Sequence, residues 1–191
     1  MKKILLSLSL LCACAGKIDM SAAMSDQFLH KDVVQKGHAQ EELKKVKAEL
    51  KALGYSFQTK PEGQKMTTTL FNVVLLAPDF EENSPAGKVR TLRHELVHAK
   101  QWREYGITGF ASKYSVEGQR WVLEMHGYRQ DIRDRCDMGN SRASILKRID
   151  RTSETFPTSY KLVSLDHAKV KEATLFVLME ELDTYESCPD A

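Results

Sequence analysis

The apolar residues of this chain follow two spacings, one typical of helices and one typical of strands. Over residues 26–53 they recur near every third or fourth position, which predicts a helix. Gly54 follows where a C-terminal cap glycine is expected, and Gly37 is a point at which this helix would divide in two. Residues 67–76 read TTTLFNVVLL, a β-branched and apolar run that predicts a strand, and residues 55–58 predict a shorter one.

Four further helices, one of them short, are predicted after the strands. Ser84 and Pro85 form an N-cap followed by proline at the first helical position, and the helix that they open is expected to end near Tyr105, before Gly106. The later predictions are a linker over residues 107–114, helices over 115–135, 141–152 and 167–185 (the last capped by Asp166), and a loop over 156–164. The fold class is therefore α+β, mainly helical, with a small β-sheet packed on the helices.

The first residues, MKKILLSLSLLCACAGK, are typical of an export signal. Lys2 and Lys3 precede an apolar run that is too short to span a bilayer. Two processing routes stay open: cleavage by ordinary signal peptidase at Ala13-Cys14-Ala15, or lipoprotein processing with a lipid attached to Cys14.

The domain organisation follows from that signal. We expect a signal peptide over residues 1–15, a flexible tether over residues 16–25 and a single domain over residues 26–191. The protein would be periplasmic or secreted, with a lipid on Cys14 as its one means of contacting a membrane.

Composition and charge exclude several classes of partner. The 191 residues are 42% hydrophobic and 28% charged, as in a soluble globular protein. Loss of the signal removes two of the 28 basic residues and leaves 26 basic and 26 acidic ones, so no electrostatic attraction to nucleic acid or anionic membranes is expected. Cys136 and Cys188 are then a candidate disulfide in an oxidising compartment, with two separate buried thiols as the alternative.

Residues 91–102, TLRHELVHAKQW, contain the string His-Glu-x-x-His. In a helix His94 and His98 project from one face one turn apart, so their imidazoles can occupy two corners of a zinc tetrahedron. Glu95 would lie beside the metal, where it can take a proton from a zinc-bound water as general base. One Zn²⁺ per chain is expected, and a helix with two solvated or core histidines is the alternative.

The third ligand decides the class of zinc site. The extension that would supply a third histidine is absent, because its glycine and histidine positions are occupied by Gln101 and Glu104. A carboxylate from the helix over residues 115–135 remains, and it offers Glu117 and Glu124. We expect Glu124, which lies mid-helix, because Glu117 lies in the first turn, where an acidic residue is typical of a cap.

Residues near Glu124 are secondary candidates. Tyr128 follows one turn later and is predicted to face the cleft as a hydrogen-bond donor to the transition state, with a packed core tyrosine as the alternative. Asp131 continues this face and could orient a ligand histidine, whereas His126 points elsewhere and is expected to be a surface or hydrogen-bonded histidine.

Other large or charged residues are expected to be structural. Trp102 and Trp121 are expected to pack between the two ligand helices. Solvated helix surfaces are expected for the arginines of these helices, Arg90, Arg93, Arg103, Arg129, Arg133 and Arg135.

HELVHAKQW followed by WVLEMHGYRQ resembles the compact gluzincin-type zinc peptidases, a minimal zincin-like group that includes families of unknown function. The resemblance covers residues 67–131, about a third of the chain. It implies that His94, His98 and Glu124 hold the zinc, that Glu95 is the base, and that the strand over residues 67–76 borders the cleft and pairs with an extended peptide. The sequence departs from larger gluzincins at Tyr128, where those often have an aspartate that supports a ligand histidine.

Two functions remain after this reading. The first is an exported zinc metallopeptidase that hydrolyses peptide bonds in a peptide or protein substrate through a zinc-bound water activated by Glu95. The second is a catalytically inactive protein of the same fold that acts as a binding or structural component of the cell envelope. Hydrolysis of a peptide library separates them, whereas metal content does not.

Overall fold

The computed structural model describes residues 18–64 and 66–188, and these residues form six helices and a three-stranded sheet. In chain order the elements are α1 (Met20–Ala23), α2 (Ala39–Ala52), β1 (Ser56–Thr59), β2 (Thr68–Leu70), β3 (Val73–Leu76), a 3₁₀ turn (Phe80–Glu82), α3 (Pro85–Ser115), α4 (Glu117–Asp137), α5 (Arg142–Ser159) and α6 (His167–Thr184). The mainly helical α+β class is therefore confirmed. The predicted signal peptide and Cys14 lie outside the described residues.

The sheet has the order β1-β3-β2, with β1 parallel and β2 antiparallel to β3. The single strand predicted over residues 67–76 is instead the hairpin of β2 and β3, which turns at Phe71 and Asn72. Phe71 has a φ of 53°, a conformation that bulky residues rarely adopt, so residue preference gave no sign of this turn. The Thr69 hydroxyl donates to the carbonyl oxygen of Glu95 at 3.2 Å and fixes β2 against α3.

Helix α3 contains a sharp break. The Ser84 hydroxyl caps its start by accepting from the Gly87 N–H at 3.2 Å, as expected. Gly106 interrupts the helix with a φ of 67° and a ψ of 171°, but residues 107–115 are helical again, so the predicted linker is wrong. The physical reason is tertiary packing: Phe110 stacks on Trp102, with ring centroids 4.2 Å apart, and is buried.

Residues 26–38 are not helical, contrary to the prediction over 26–53, and helix α2 begins only at Ala39. Side chains of α4 bind the backbone of this segment: the Gln130 amide oxygen accepts from the His30 N–H at 2.7 Å, and the Asp137 carboxylate accepts from the Val34 N–H at 2.9 Å. Gly37, at a φ of 85°, then makes the turn into α2. Such long-range partners leave no trace in local periodicity.

Two segments that the sequence predicted as a tether and a loop are helical. The described part of the expected tether includes helix α1, and Ala23 at its end is fully buried against α4 and α6. Helix α5 continues to Ser159 through Pro157, where a loop was expected from residue 156, because Phe156 is buried in the same cluster. Helix α6 matches its prediction, with the Asp166 carboxylate accepting from the N–H groups of Ala168 and Lys169.

Two of the arginines expected on solvated surfaces are buried in ion pairs. The Arg129 guanidinium contacts the Glu181 carboxylate on α6 and Asp26, each at 2.6 Å. The Arg93 guanidinium lies 2.8 Å from the Asp134 carboxylate between α3 and α4. Burial raises the pKa of Asp134 to about 7, although the nearby Arg93 charge lowers it. Arg103 is exposed, as predicted.

Cys136 and Cys188 form the predicted disulfide, which joins the end of α4 to the segment after α6. It fits an oxidising location outside the cytoplasm. Among the described helices, none combines the length and the apolar character needed to cross a membrane.

Loss of this disulfide should destabilise the fold without affecting the site described below. We expect the double variant Cys136→Ser/Cys188→Ser to lose roughly 2–4 kcal/mol of unfolding free energy in urea, because the bond closes a long loop of the unfolded chain. Cys136 lies roughly 18 Å along α4 from Glu124, so metal affinity should be unchanged. An unchanged urea midpoint would contradict this prediction, and the wild type treated with reductant is the matched control.

Candidate metal centre

His94, His98 and Glu124 converge at the contact between α3 and α4. The Nε2 atoms of the two histidines are 3.2 Å apart, and each lies near Oε2 of Glu124, at 3.5 Å for His94 and 3.4 Å for His98. His98 and Glu124 are buried, and His94 is partly buried. Three donor atoms in a compact triangle form a group that could hold a metal ion.

The approach of His94 to α4 depends on a glycine. A Cβ atom added at Gly127 would lie 2.5 to 2.7 Å from three atoms of the His94 imidazole, well inside van der Waals contact. Gly127 is buried in the middle of α4, where glycine is less favourable than alanine by about 1 kcal/mol. The missing side chain lets the imidazole lie directly on the helix backbone.

Gln101 fixes the orientation of His98. Its amide nitrogen faces two acceptors, the Leu123 carbonyl oxygen and Nδ1 of His126, each at 3.1 Å. Its amide oxygen therefore faces Nδ1 of His98 at 2.9 Å and accepts the proton there. In the neutral imidazole this tautomer leaves the lone pair of Nε2 directed at the candidate metal position.

His126 supports this arrangement from behind. It is buried, and its Nε2 donates to the Ala22 carbonyl oxygen at 2.9 Å, which leaves Nδ1 as the acceptor for Gln101. Burial lowers the pKa of His126 to about 4, so the ring is neutral at pH 7 and keeps these two roles. The sequence analysis expected a surface or hydrogen-bonded histidine, and His126 is a hydrogen-bonded one that supports Gln101.

Tyr114 holds the third candidate ligand. Its hydroxyl donates to Oε1 of Glu124 at 2.8 Å, which leaves Oε2 facing the histidines. Tyr114 belongs to the part of α3 after the break at Gly106, a segment that the sequence predicted as a linker. Burial raises the pKa of the Tyr114 phenol above its ordinary value, so it stays protonated and can donate.

The metal-free group is electrostatically coupled. Burial lowers the pKa of His98, but the adjacent Glu124 carboxylate outweighs burial and raises the pKa of His98 to about 9. Burial likewise raises the pKa of Glu124, while His98 and His94 bring its net pKa well below the ordinary value. A positive charge on His98 thus compensates the buried Glu124 carboxylate, and a cation held by the same donors would supply that compensation instead.

Glu95 lies beside this group, and one of its carboxylate oxygens is unpaired within the described part of the chain. Its side chain is buried, and Oε2 makes no hydrogen bond within the described residues. Its charge contributes to the raised pKa of His98. A buried carboxylate oxygen that lacks a donor is costly unless a ligand or water completes the site.

The other sequence candidates fall into different environments. Tyr128 packs edge-on against His94, with ring centroids 5.2 Å apart, and its hydroxyl lies 3.2 Å from that of Tyr160. Glu117 lies outside the triangle and accepts from the Ser164 N–H at 2.9 Å. Asp131 contacts arginines and supports neither ligand histidine, so its predicted role is wrong, and Gln101 has that role instead.

The two tryptophans also differ from each other. Trp102 packs against Phe110 on α3 and belongs to the same buried cluster as Leu123 on α4, as expected for packing between the ligand helices. Trp121 instead faces α6 and donates through its indole N–H to the Thr174 hydroxyl at 2.9 Å. It therefore belongs to the core behind the site.

A cleft of about 890 Å³ opens over the group. Its walls include β2, both ligand helices, the rings of Trp102, Phe110 and Tyr128, and several arginines. The edge of the small sheet thus borders the site, as the resemblance to zinc peptidases implied.

No protein-family model matches the chain, and neither the curated proteins nor the solved structures yield a match. The resemblance to gluzincin-type peptidases therefore rests on the site itself. A buried His-His-Glu group on an HExxH helix and a second helix is consistent with that resemblance.

Three residues of the site were not identified from the sequence: Gln101, Tyr114 and Gly127. Gln101 was noted in the sequence only because it occupies the glycine position of the three-histidine extension. Gly127 carried a weak signal, because a glycine three residues after a candidate ligand in mid-helix is unfavourable unless another group approaches closely. Tyr114 carried none, since the segment that holds it was not predicted to be helical.

Gly127→Ala should weaken zinc binding, although alanine is the better helix former. The new methyl group would displace the His94 imidazole, so we expect the Kd for Zn²⁺, measured by calorimetry, to rise at least tenfold. Gly109→Ala on α3 is the matched control, because its Cβ would make only ordinary contact at 3.4 Å and should leave the Kd unchanged. An unchanged Kd for Gly127→Ala would show that His94 is not a ligand in this position.

Gln101→Ala should weaken metal binding although the residue is not a candidate ligand. Loss of the acceptor at Nδ1 of His98 should lower Zn²⁺ affinity by about 10- to 100-fold. Gln119→Ala, at an exposed position of α4, is the control. Equal affinities for the two variants would contradict the role assigned to Gln101.

Proposed function

We propose that this chain is an exported zinc-dependent metallopeptidase that hydrolyses peptide bonds. The observation that supports it most is a largely buried triangle of two imidazole nitrogens and one carboxylate oxygen. Beside it lies Oε2 of Glu95, which has no hydrogen-bond partner among the described residues. Two histidines and one glutamate, with a further position open to the cleft, are the donor set of catalytic zinc sites in peptidases.

The spacing of the donor atoms fits zinc. Tetrahedral ligands at about 2.0–2.1 Å from zinc are separated from one another by roughly 3.3 Å. The three donor atoms of this chain are 3.2, 3.4 and 3.5 Å apart. His94, His98 and Glu124 would therefore hold one Zn²⁺ with little movement.

When bound, a zinc ion polarises a substrate carbonyl and lowers the pKa of water in its coordination shell. Glu95 acts as the general base: it takes a proton from the attacking water and passes that proton to the amine nitrogen as the C–N bond breaks. No donor within residues 18–64 and 66–188 competes for Oε2 of Glu95, which favours this role because that oxygen can accept the proton.

Tyr128 is proposed as a donor to the substrate oxygen on the His94 side of the cleft. Its ring contacts the His94 imidazole and lines the cleft. Burial raises the pKa of Tyr128 to about 12, so the phenol keeps its proton at neutral pH. The adjacent Tyr160 hydroxyl is the partner that it would exchange for substrate.

An extended peptide or protein segment fits the walls of the cleft. The outer edge of β2 offers backbone hydrogen-bonding groups next to the motif helix, and an extended chain can pair with such an edge. The disulfide supports export to an oxidising compartment, where such an enzyme would work.

The mature protein loaded with zinc, its Glu95→Gln variant and its Glu124→Ala variant test this proposal. We expect about one zinc per chain in the wild type and in Glu95→Gln, and a large loss of zinc in Glu124→Ala, measured by atomic emission. Hydrolysis of a peptide library, followed by mass spectrometry, should fall by at least a thousandfold in Glu95→Gln, because the base is lost while the metal stays.

Two further outcomes make the test decisive. Tyr128→Phe should retain zinc and lower kcat more than it changes KM, as expected for a group that acts in the transition state. If the zinc-loaded wild type hydrolyses no peptide in the library, the peptidase proposal fails and a binding or structural role in the envelope takes its place.

A further inference from the structure

Three arginines line one end of the cleft and surround a single carboxylate. Arg90 comes from α3, Arg135 from α4 and Arg148 from α5, and their Nε atoms lie 3.4, 3.0 and 3.5 Å from the carboxylate oxygens of Asp131. All four residues line the cleft. They are named the arginine cluster below. Its arginines were expected on a solvated surface or were not singled out, so their convergence is a product of the fold.

The arginine cluster has more positive than negative charge. Three guanidinium groups face one carboxylate, which leaves a local charge of +2. The next two carboxylates along α4 are engaged elsewhere: Asp134 pairs with Arg93 at 2.8 Å, and Asp137 accepts from the N–H of Val34 and the hydroxyl of Tyr185. Neither forms an ion pair with the arginines of the cluster, although the charge of Asp134 acts on Arg90 from a distance.

The donors of the arginine cluster also exceed its acceptors. Each guanidinium presents five N–H groups, whereas one carboxylate offers about four acceptor positions. Nε of Arg148 is buried and makes no hydrogen bond within the described residues. Burial, followed by the charge of Arg135, lowers the pKa of Arg90, which reflects the crowding of like charges. An anion that enters the cleft would relieve both imbalances.

The arginine cluster lies within a few substrate residues of the candidate metal. The Arg148 guanidinium lies 5.9 Å from the centre of the Tyr128 ring, and that ring lies 5.2 Å from the His94 ring. Two such steps cover at most about three residues of an extended peptide. The arginine cluster can therefore contact a substrate group while a nearby peptide bond lies at the metal.

The opposite side of the site is lined mainly by aromatic rings. His98 faces Phe110 at a ring-centroid distance of 6.4 Å, and Phe110 stacks on Trp102, which also contacts Phe71. These rings line the cleft on its His98 side, where one further arginine, Arg120, lies over the Tyr114 ring at 5.3 Å. The arginine cluster lies on the His94 side, with Arg148 next to Tyr128. The cleft is thus chemically different on the two sides of the metal position.

We propose that the arginine cluster is a specificity site that binds a carboxylate of the substrate, one to three residues from the cleaved bond. The carboxylate is either a Glu or Asp side chain or the free C-terminus of the peptide, since both present the same planar acceptor to a guanidinium. This inference rests on the proposed peptidase function, because it assigns a substrate class to the same cleft.

Fluorogenic nonapeptides built on alanine and phenylalanine test the arginine cluster. For each position of the peptide, three forms are compared. The first has Gln at that position and both termini blocked, and the second has Glu there and both termini blocked. The third has Gln there and a free C-terminal carboxylate. We expect kcat/KM with the zinc-loaded protein to be about 10- to 100-fold higher for one of the two carboxylate forms, at one fixed distance from the cleaved bond. The preferred form identifies the source of the carboxylate.

The variants Arg148→Gln and Arg135→Gln should reduce that preference to about one. Arg151→Gln is the matched control, because Arg151 is an exposed residue on the same helix as Arg148 and does not line the cleft. For each variant, the rate with a carboxylate form is divided by the rate of the same variant with the blocked Gln peptide, so that a general change in hydrolysis cancels and only the preference is compared. If the preference for a carboxylate form, whether Glu or the free C-terminus, persists in Arg148→Gln and Arg135→Gln, the proposal is overturned.

Binding separates failure of this inference from failure of the proposed function. Fluorescence polarisation with the same peptides and the zinc-loaded Glu95→Gln protein measures affinity without hydrolysis. If no peptide is cleaved but a carboxylate form binds at least tenfold more tightly, in a manner that depends on Arg148, the arginine cluster is an anion site in a non-peptidase. Equal binding of all three forms, whether or not they are cleaved, would overturn the inference.

Discussion

The architecture of this protein depends on how closely α3 and α4 approach each other at His94. Because Gly127 has no side chain, the His94 imidazole lies directly on the backbone of α4, and Glu124 one turn earlier can then reach both histidines. A methyl group at Gly127 would separate the histidine from the carboxylate. The cost of a glycine in mid-helix is therefore offset by a site that no larger residue permits.

A series of buried hydrogen bonds fixes the orientation of His98 at this contact. Ala22 accepts from His126, His126 accepts from Gln101, and Gln101 accepts from His98, so the polarity of each bond determines that of the next. In the neutral imidazole the result is a single favoured tautomer of His98, with the lone pair of Nε2 directed at the candidate metal position between His94 and Glu124. Helix α1, which holds Ala22, thus contributes to the site from the far side of α4, although none of its four residues lines the cleft.

The second half of α3 completes the site from another direction. The break at Gly106 lets the chain resume a helix whose residues Phe110 and Tyr114 turn back toward α4. Tyr114 holds Glu124, and Phe110 forms the apolar wall beside His98. Together with the arginines beyond Tyr128, this wall gives the cleft two chemically distinct sides around one candidate metal position.

The sequence alone determined what depends on local spacing. The i, i+4 histidines, the cap at Ser84 and the helical position of Glu124 follow from the chain itself, because neighbouring residues on a helix have a fixed geometry. Tertiary structure alone decided the turn at Phe71, the helix that carries Tyr114, and the partners of Gln101. Each of these depends on contacts between residues far apart in the chain, whose packing and hydrogen bonds override local preference, and no periodic pattern records such contacts.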